Sequence, residues 1–84
     1  PNKEMDDASK VKRLLLTGLR FYLDKDFKKA IAVFKKIIDE YPDHFEAHYN
    51  LGNAYFRMKD FGKAEREYLK VIQIDPSFTD AHEN

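Results

Sequence analysis

An internal repeat of 34 residues constrains this chain of 84 residues more than any other feature. When the sequence is shifted by 34 positions, nine of the positions between 11 and 44 become identical. The identical pairs are Gly18/Gly52, Lys25/Lys59, Asp26/Asp60, Phe27/Phe61, Lys29/Lys63, Ala30/Ala64, Lys36/Lys70, Ile38/Ile72 and Pro42/Pro76. A period of this length is typical of stacked arrays whose units cannot bury their apolar faces alone. A chain of this size is also too small for a large enclosed active site.

Each unit has the apolar pattern of two helices. The first stretch carries apolar or small residues at the three-four spacing of one helix face, namely Val11, Leu14, Leu15, Gly18, Phe21 and Tyr22. A polar break at residues 24–26 precedes a second such stretch, which ends at Tyr41 because the residue before a proline is pushed out of helical geometry. The second unit predicts helices over about 45–58 and 61–74.

Five polar residues stand where helix N-caps are expected. Asp26 and Asp60 precede the second helix of each unit and can accept hydrogen bonds from its first backbone N–H groups. Asp43 and Ser77 follow the two prolines and begin capping-box patterns. Residues 1–10 are polar and aperiodic, which predicts a frayed segment, and Ser9 is the candidate cap of the first helix.

The repeat register divides the chain into four parts. We predict a polar N-terminal segment at 1–10, a first repeat at 11–44, a second repeat at 45–78, and the start of a third repeat or a truncated capping helix at 79–84. The chain begins with Pro1 and ends inside the third unit, which favours a piece of a longer array.

Glycine inside a helix costs about 1 kcal/mol relative to alanine, so it suggests a close approach by another helix. Gly18 and Gly52 occupy such positions. Ala30 and Ala64, twelve residues further on, are predicted to face them. Large aromatic residues are expected to close the contact on either side.

Composition excludes several classes of function. Fifteen basic residues balance fifteen acidic ones, so the net charge of zero predicts no nucleic acid partner. The chain has no cysteine, which removes disulfides, thiolate zinc sites and a thiol nucleophile. No apolar run reaches the roughly 18 residues of a membrane span, and there is no signal-peptide pattern, so a cytoplasmic location is the default expectation.

The repeat resembles the tetratricopeptide repeat family. The second unit carries the family pattern at His48, Leu51, Gly52, Tyr55, Ala64, Tyr68, Val71 and Pro76, and the first unit at Leu14, Thr17, Gly18, Phe21, Ala30, Phe34, Ile37 and Pro42. The resemblance implies an all-α fold, a superhelical solenoid of antiparallel helix pairs. Lys25 and Lys59 stand at a turn position that is often glycine in the family.

The resemblance also implies a non-catalytic scaffold that binds a peptide or a partner's helix in a concave groove. The groove residues carried over are Lys12, Leu15, Leu16, Leu19, Tyr22 and Leu23 in the first unit, Glu46, Tyr49, Asn50, Asn53, Phe56 and Arg57 in the second, and Asp80, Glu83 and Asn84 at the start of the third. The first set is mostly apolar, whereas amides and a guanidinium in the second can bind a peptide backbone and a carboxylate. A bound peptide is thus expected to place an apolar anchor near the first unit.

Two alternatives remain open for these residues. Asn50 and Asn53 are equally well explained as family residues kept for packing and solubility. The leucine stripe can instead be covered by the N-terminal segment, by another copy of the chain, or by units upstream, because contiguous exposed apolar patches are uncommon on monomers. A self-assembly module is the alternative function, in which Val71, Ile72 and Ile74 form an unpaired end face and the chain is a homo-oligomer.

Catalytic and metal chemistry have little support in the sequence. His44 and His48 can share a helix face, but no third ligand is evident, so we favour packing roles and expect no metal or cofactor. No serine or threonine has a readable catalytic partner, and there is no glycine-rich phosphate loop, so no enzyme activity is expected. The lysine pairs of residues 28–36 and the stretch 65–67 are interpreted as solvated helix faces.

Overall fold

The computed structural model describes residues 3–77, with side chains described for residues 7–77. Four helices follow one another: α1 (Lys3–Leu23), α2 (Phe27–Glu40), α3 (Phe45–Arg57) and α4 (Phe61–Ile74). These bounds confirm the all-α fold and the predicted helix pairs. They also correct the prediction for the N-terminus, because α1 begins at Lys3 and Ser9 lies inside the helix rather than at its start.

The same tight turn joins the helices within each repeat. Lys25 adopts a left-handed conformation with φ of 67°, and Lys59 does so with φ of 66°. In the first turn the Asp26 N–H bonds the Phe21 carbonyl at 2.8 Å and the Lys25 N–H bonds the Tyr22 carbonyl at 2.9 Å, which together make a Schellman motif. The left-handed turn therefore forms with lysine at this position.

Each turn ends on an aspartate that caps the next helix. The Oδ1 atom of Asp26 accepts the Lys29 N–H at 3.4 Å, and Asp60 accepts the Lys63 N–H at the same distance. Both predicted N-caps are confirmed. One residue thus closes one helix and starts the next, which keeps each connection short and the helices antiparallel.

Replacing Lys25 or Lys59 with glycine should stabilise the chain by about 0.5 to 1 kcal/mol. A side chain in the left-handed region costs about 1–2 kcal/mol, and glycine's greater entropy in the unfolded state cancels part of the gain. The midpoint of urea unfolding measures the effect. Lys25→Ala is the control, since alanine keeps the Cβ atom; an equal gain from alanine would contradict a strain-based explanation.

A histidine at the end of the linker between α2 and α3 caps the N-terminus of α3. The Nδ1 atom of His44 accepts the Ala47 N–H at 3.2 Å. The prediction that Asp43 caps this helix is therefore wrong, because the cap is one residue later. The corresponding pattern at Ser77 extends to Asp80, which lies outside the described residues.

The two interior glycines mark the closest helix contacts. A Cβ atom added to Gly18 would lie 2.5 Å from the Phe34 ring, and one added to Gly52 would lie 2.7 Å from the Tyr68 ring. The close approach is confirmed, but these aromatic rings, sixteen residues on, are the nearest neighbours rather than Ala30 and Ala64. Each ring can lie over its glycine because glycine has no side chain, whereas the Cβ atom of any larger residue would collide with the ring.

Helix contacts define a concave and a convex side. Helix α1 contacts α2, α2 contacts α3, and α3 contacts α4, as in a continuous stack. In addition α1 touches α3, whereas α2 and α4 do not touch within the described part of the chain. The first helices of the two repeats therefore converge on the concave side and the second helices diverge on the convex side.

Candidate functional site: a concave groove

A groove of about 630 Å³ lies on the concave side at the N-terminal ends of α1 and α3. Its lining residues are Ala8, Val11, Lys12, Leu15, Leu16, Leu19, Tyr41, His44 and Glu46. Of the residues predicted for the groove, it contains Lys12, Leu15, Leu16, Leu19 and Glu46. The structure adds the linker residues Tyr41 and His44 to them, whereas Asp80, Glu83 and Asn84 lie outside the described residues.

The groove has an apolar floor supplied by α1. Val11, Leu15 and Leu19 follow one another at four-residue steps, are half-buried, and pack against the core. Leu16 is 56% exposed beside them. The N-terminal turns of α1 continue the same helix, so they leave Leu16 exposed rather than folding back over it. An apolar side chain of a ligand could bury this surface.

The opposite wall presents hydrogen-bonding groups. Because Nδ1 of His44 accepts a backbone N–H, the neutral imidazole must carry its proton on Nε2, which is then a donor. Burial raises the pKa of Tyr41, and the carboxylates of Asp7 and Glu40 raise it further, so its hydroxyl is protonated at neutral pH. With Lys12, these residues place donors around an apolar floor, and the exposed carboxylate of Glu46 lies beside them.

Two further predicted residues meet at the other end of the repeats. The guanidinium of Arg57 lies 5.1 Å from the ring centroid of Phe27 and 5.7 Å from that of Tyr22. These are cation–π distances, and they link the end of α3 to the turn of the first repeat. Leu23, next to Tyr22, is 77% exposed at the end of α1. Tyr22 and Arg57 are thus brought together, away from the 630 Å³ groove.

The remaining predicted residues of α3 lie beside α4. The Tyr68 hydroxyl donates to Oδ1 of Asn53 at 2.6 Å, and the Tyr49 and Tyr68 ring centroids are 6.0 Å apart. Phe56 makes an edge contact with Phe61 at 5.2 Å. Asn53 is therefore engaged with α4 through Tyr68, while Asn50 is half-buried. Burial raises the pKa of Tyr68, and the neighbouring Tyr49 and Tyr22 raise it further, which keeps its hydroxyl a donor.

The predicted end face needs one correction. Val71 is 1% exposed, so it belongs to the core and cannot contact another molecule. Ile72 and Ile74 are half-buried. The apolar surface at this end, which we call the downstream face, consists of Phe56, Phe61, Tyr68, Leu69 and Ile72, and it encloses a depression of about 320 Å³. Of this face the sequence predicted only Ile72, because the other exposed residues come from the end of α3 and from the side of α4 next to it.

The opposite end of the stack is polar. Arg13, Thr17 and Arg20 of α1 are exposed, and their counterparts one repeat later are Ala47, Leu51 and Ala54, which are buried. The Thr17 hydroxyl bonds its own helix at the Arg13 carbonyl, 2.9 Å away. We call these three residues of α1 the upstream face. The two ends of the stack therefore differ in chemistry.

A buried histidine ties the second repeat together. His48 is 2% exposed, with Nδ1 2.7 Å from Oε1 of Glu67 and Nε2 2.6 Å from the Pro42 carbonyl oxygen. Glu67 is therefore not part of a solvated face, contrary to the interpretation of residues 65–67. His44 and His48 are each engaged within the fold, and no cluster that could hold a metal occurs among the described residues.

Sequence comparison assigns the family. The profile of the tetratricopeptide repeat matches residues 21–83. The chain belongs to the tetratricopeptide repeat family. Tetratricopeptide repeats are generally protein-interaction modules and typically non-enzymatic scaffolds. None of the curated proteins matches the chain. No helix in the described part of this tetratricopeptide chain is long and apolar enough to cross a membrane.

Proposed function

We propose that the chain binds a segment of a partner protein in the concave groove. The observation that carries this proposal is a groove of about 630 Å³ with an apolar floor and donors on the opposite wall. Such a site suits a peptide with an apolar anchor next to a carbonyl or carboxylate, because buried apolar area supplies affinity and the polar groups fix orientation.

A charged residue at Leu16 should abolish this binding. Leu16 is 56% exposed, so Leu16→Glu leaves the core intact while placing a carboxylate on the groove floor. Peptides selected from a random display library against the wild-type chain would be titrated against the variant, and we expect affinity to fall at least about tenfold, the equivalent of 1.4 kcal/mol. Leu69→Glu is the matched control, since Leu69 is 51% exposed on α4. Equal affinity for Leu16→Glu and wild type would refute the groove assignment.

Self-association is a second candidate, favoured by the downstream face. Phe56, Phe61 and Leu69 are 54%, 55% and 51% exposed, so three large apolar side chains share one surface. The polar upstream face is a poor match for them. Two copies would therefore pair their downstream faces about a two-fold axis rather than stack head to tail.

The same two variants test this candidate. In sedimentation at increasing concentration, Leu69→Glu should shift the chain to monomer, while Leu16→Glu should associate like the wild type. A wild-type chain that stays monomeric at high concentration would exclude self-association.

A further inference from the structure

The convex side carries a second groove, between α2 and α4. Since these helices do not touch within the described residues, α3 forms the floor between them, where Tyr55 and Leu51 are buried and Met58 is exposed at the end of the helix. A depression of about 310 Å³ there is lined by Lys28, Ile31, Lys35, Tyr55, Met58, Asp60 and Lys63. A second depression of about 320 Å³ shares Lys35 and continues along the two helices past Ile38, Asp39, Leu51 and the ion pair of Glu67 with Lys70. We call the first depression and its extension the convex groove.

The lysines on the two walls of this groove differ in whether they have an ion-pair partner. Asp60 caps α4 and pairs with Lys63, whose Nζ lies 3.7 Å from Oδ2. On the facing wall, Lys28 and Lys35 form no ion pair within residues 7–77. The acid of the α4 wall in the first depression is therefore already engaged. Among the described residues, the α2 wall of this depression presents two cations without an ion-pair partner, and Asp39 follows Lys35 only in the extension.

An apolar strip runs between the two cations. Ile31 is half-buried on the same face of α2, and Met58 is 41% exposed at the end of α3. Met58 suits a contact surface because its unbranched thioether adapts to the shape of a partner. Lys28 and Lys35 are two helical turns apart, about 10.5 Å along the axis. The groove thus alternates positive, apolar and positive along one helix.

We infer that the convex groove binds an acidic amphipathic segment of a partner protein. Two carboxylates seven residues apart on a partner helix repeat the 10.5 Å spacing of about two turns, and an apolar residue between them would meet Ile31 and Met58. Charge complementarity favours this partner over an uncharged one and would speed its association. The site is separate from the concave groove and does not depend on the proposed function.

A charge-matched pair of variants tests the inference. Lys28→Gln with Lys35→Gln removes the two groove cations, and Lys29→Gln with Lys36→Gln removes two exposed cations of the same helix outside the groove. The probe is a short fluorescent peptide of glutamate and leucine in amphipathic order, titrated by anisotropy at low and physiological salt. We expect the first variant to bind about tenfold more weakly, because it loses both ion pairs with the peptide. The second variant should change binding less than twofold.

The following outcomes would overturn the assignment of the convex groove to an acidic partner. Equal weakening of both double variants would mean non-specific attraction, as would unchanged affinity for a peptide with leucine replaced by glutamine. No binding of the acidic peptide at low salt would remove the site altogether. Tighter binding of a single-stranded RNA oligonucleotide through the same lysines would assign the groove to nucleic acid instead. Leu16→Glu should bind the acidic peptide like the wild type, so a failure of the concave groove can be recognised separately.

Discussion

Gly18→Ala should destabilise the chain by about 2 kcal/mol. The new Cβ would lie 2.5 Å from the Phe34 ring, and Phe34 is fully buried with 0% exposure, so the ring has no free space to move into. Overpacking of this kind costs about 1–3 kcal/mol, which outweighs the roughly 1 kcal/mol by which alanine favours the helix. Chemical unfolding monitored by circular dichroism measures the loss.

The other glycines supply a graded control. Gly52→Ala should cost less, because Tyr68 is only half-buried and its ring can shift. Gly62 has nothing within 4 Å of an added Cβ, so Gly62→Ala should stabilise α4 by about 0.4–1 kcal/mol. If Gly18→Ala were as stable as Gly62→Ala, the close contact with Phe34 would not exist in solution.

Glu67→Leu should cost about 2–3 kcal/mol of unfolding free energy. The Pro42 carbonyl can only accept, so Nε2 of His48 must carry a hydrogen, and a second proton must lie between Nδ1 and Glu67 at 2.7 Å. The side chains of His48 and Glu67 are 3% and 12% exposed, so water cannot replace the lost partner. A buried polar group left without its partner carries a penalty of this size.

A double-mutant cycle separates this pair from its surroundings. His48→Phe with Glu67→Leu should be more stable than the sum of the single effects predicts, by at least about 1 kcal/mol, since no polar group of the pair is then left behind. Glu65→Leu on the same helix is the control and should change stability by no more than about 0.5 kcal/mol, because Glu65 is exposed. Additive single effects would mean that the two side chains are not coupled.

The part of the concave groove that depends on residue spacing along a single helix could be predicted from the sequence. The leucines of α1 at four-residue spacing gave the apolar floor of the concave groove, because spacing along a helix fixes which residues share a face. Tyr41 and His44 were not predicted to line the groove. The linker comes close to α1 only once α2 has folded back against α1, so no pattern of neighbouring residues predicts that contact.

The exposed end of the stack was harder to predict. Val71 and Leu69 are both apolar residues of α4, yet one is buried and the other is half exposed. Hydrophobicity alone does not distinguish them, because burial depends on the angle at which α4 crosses α3. Glu67 similarly has the sequence character of a solvated residue and becomes a partner of His48 only through packing.

The sequence by itself determined the period of 34 residues, the helix pairs with their aspartate caps, and the family. These depend on local spacing and on residue types whose backbone preferences act within a few positions. Tertiary structure decided which side chains meet. The rings of Phe34 and Tyr68 over the glycines, the contact between His48 and Glu67, and the separation of α2 from α4 all depend on how the helices cross, and crossing is set by the packing of surfaces distant in the sequence.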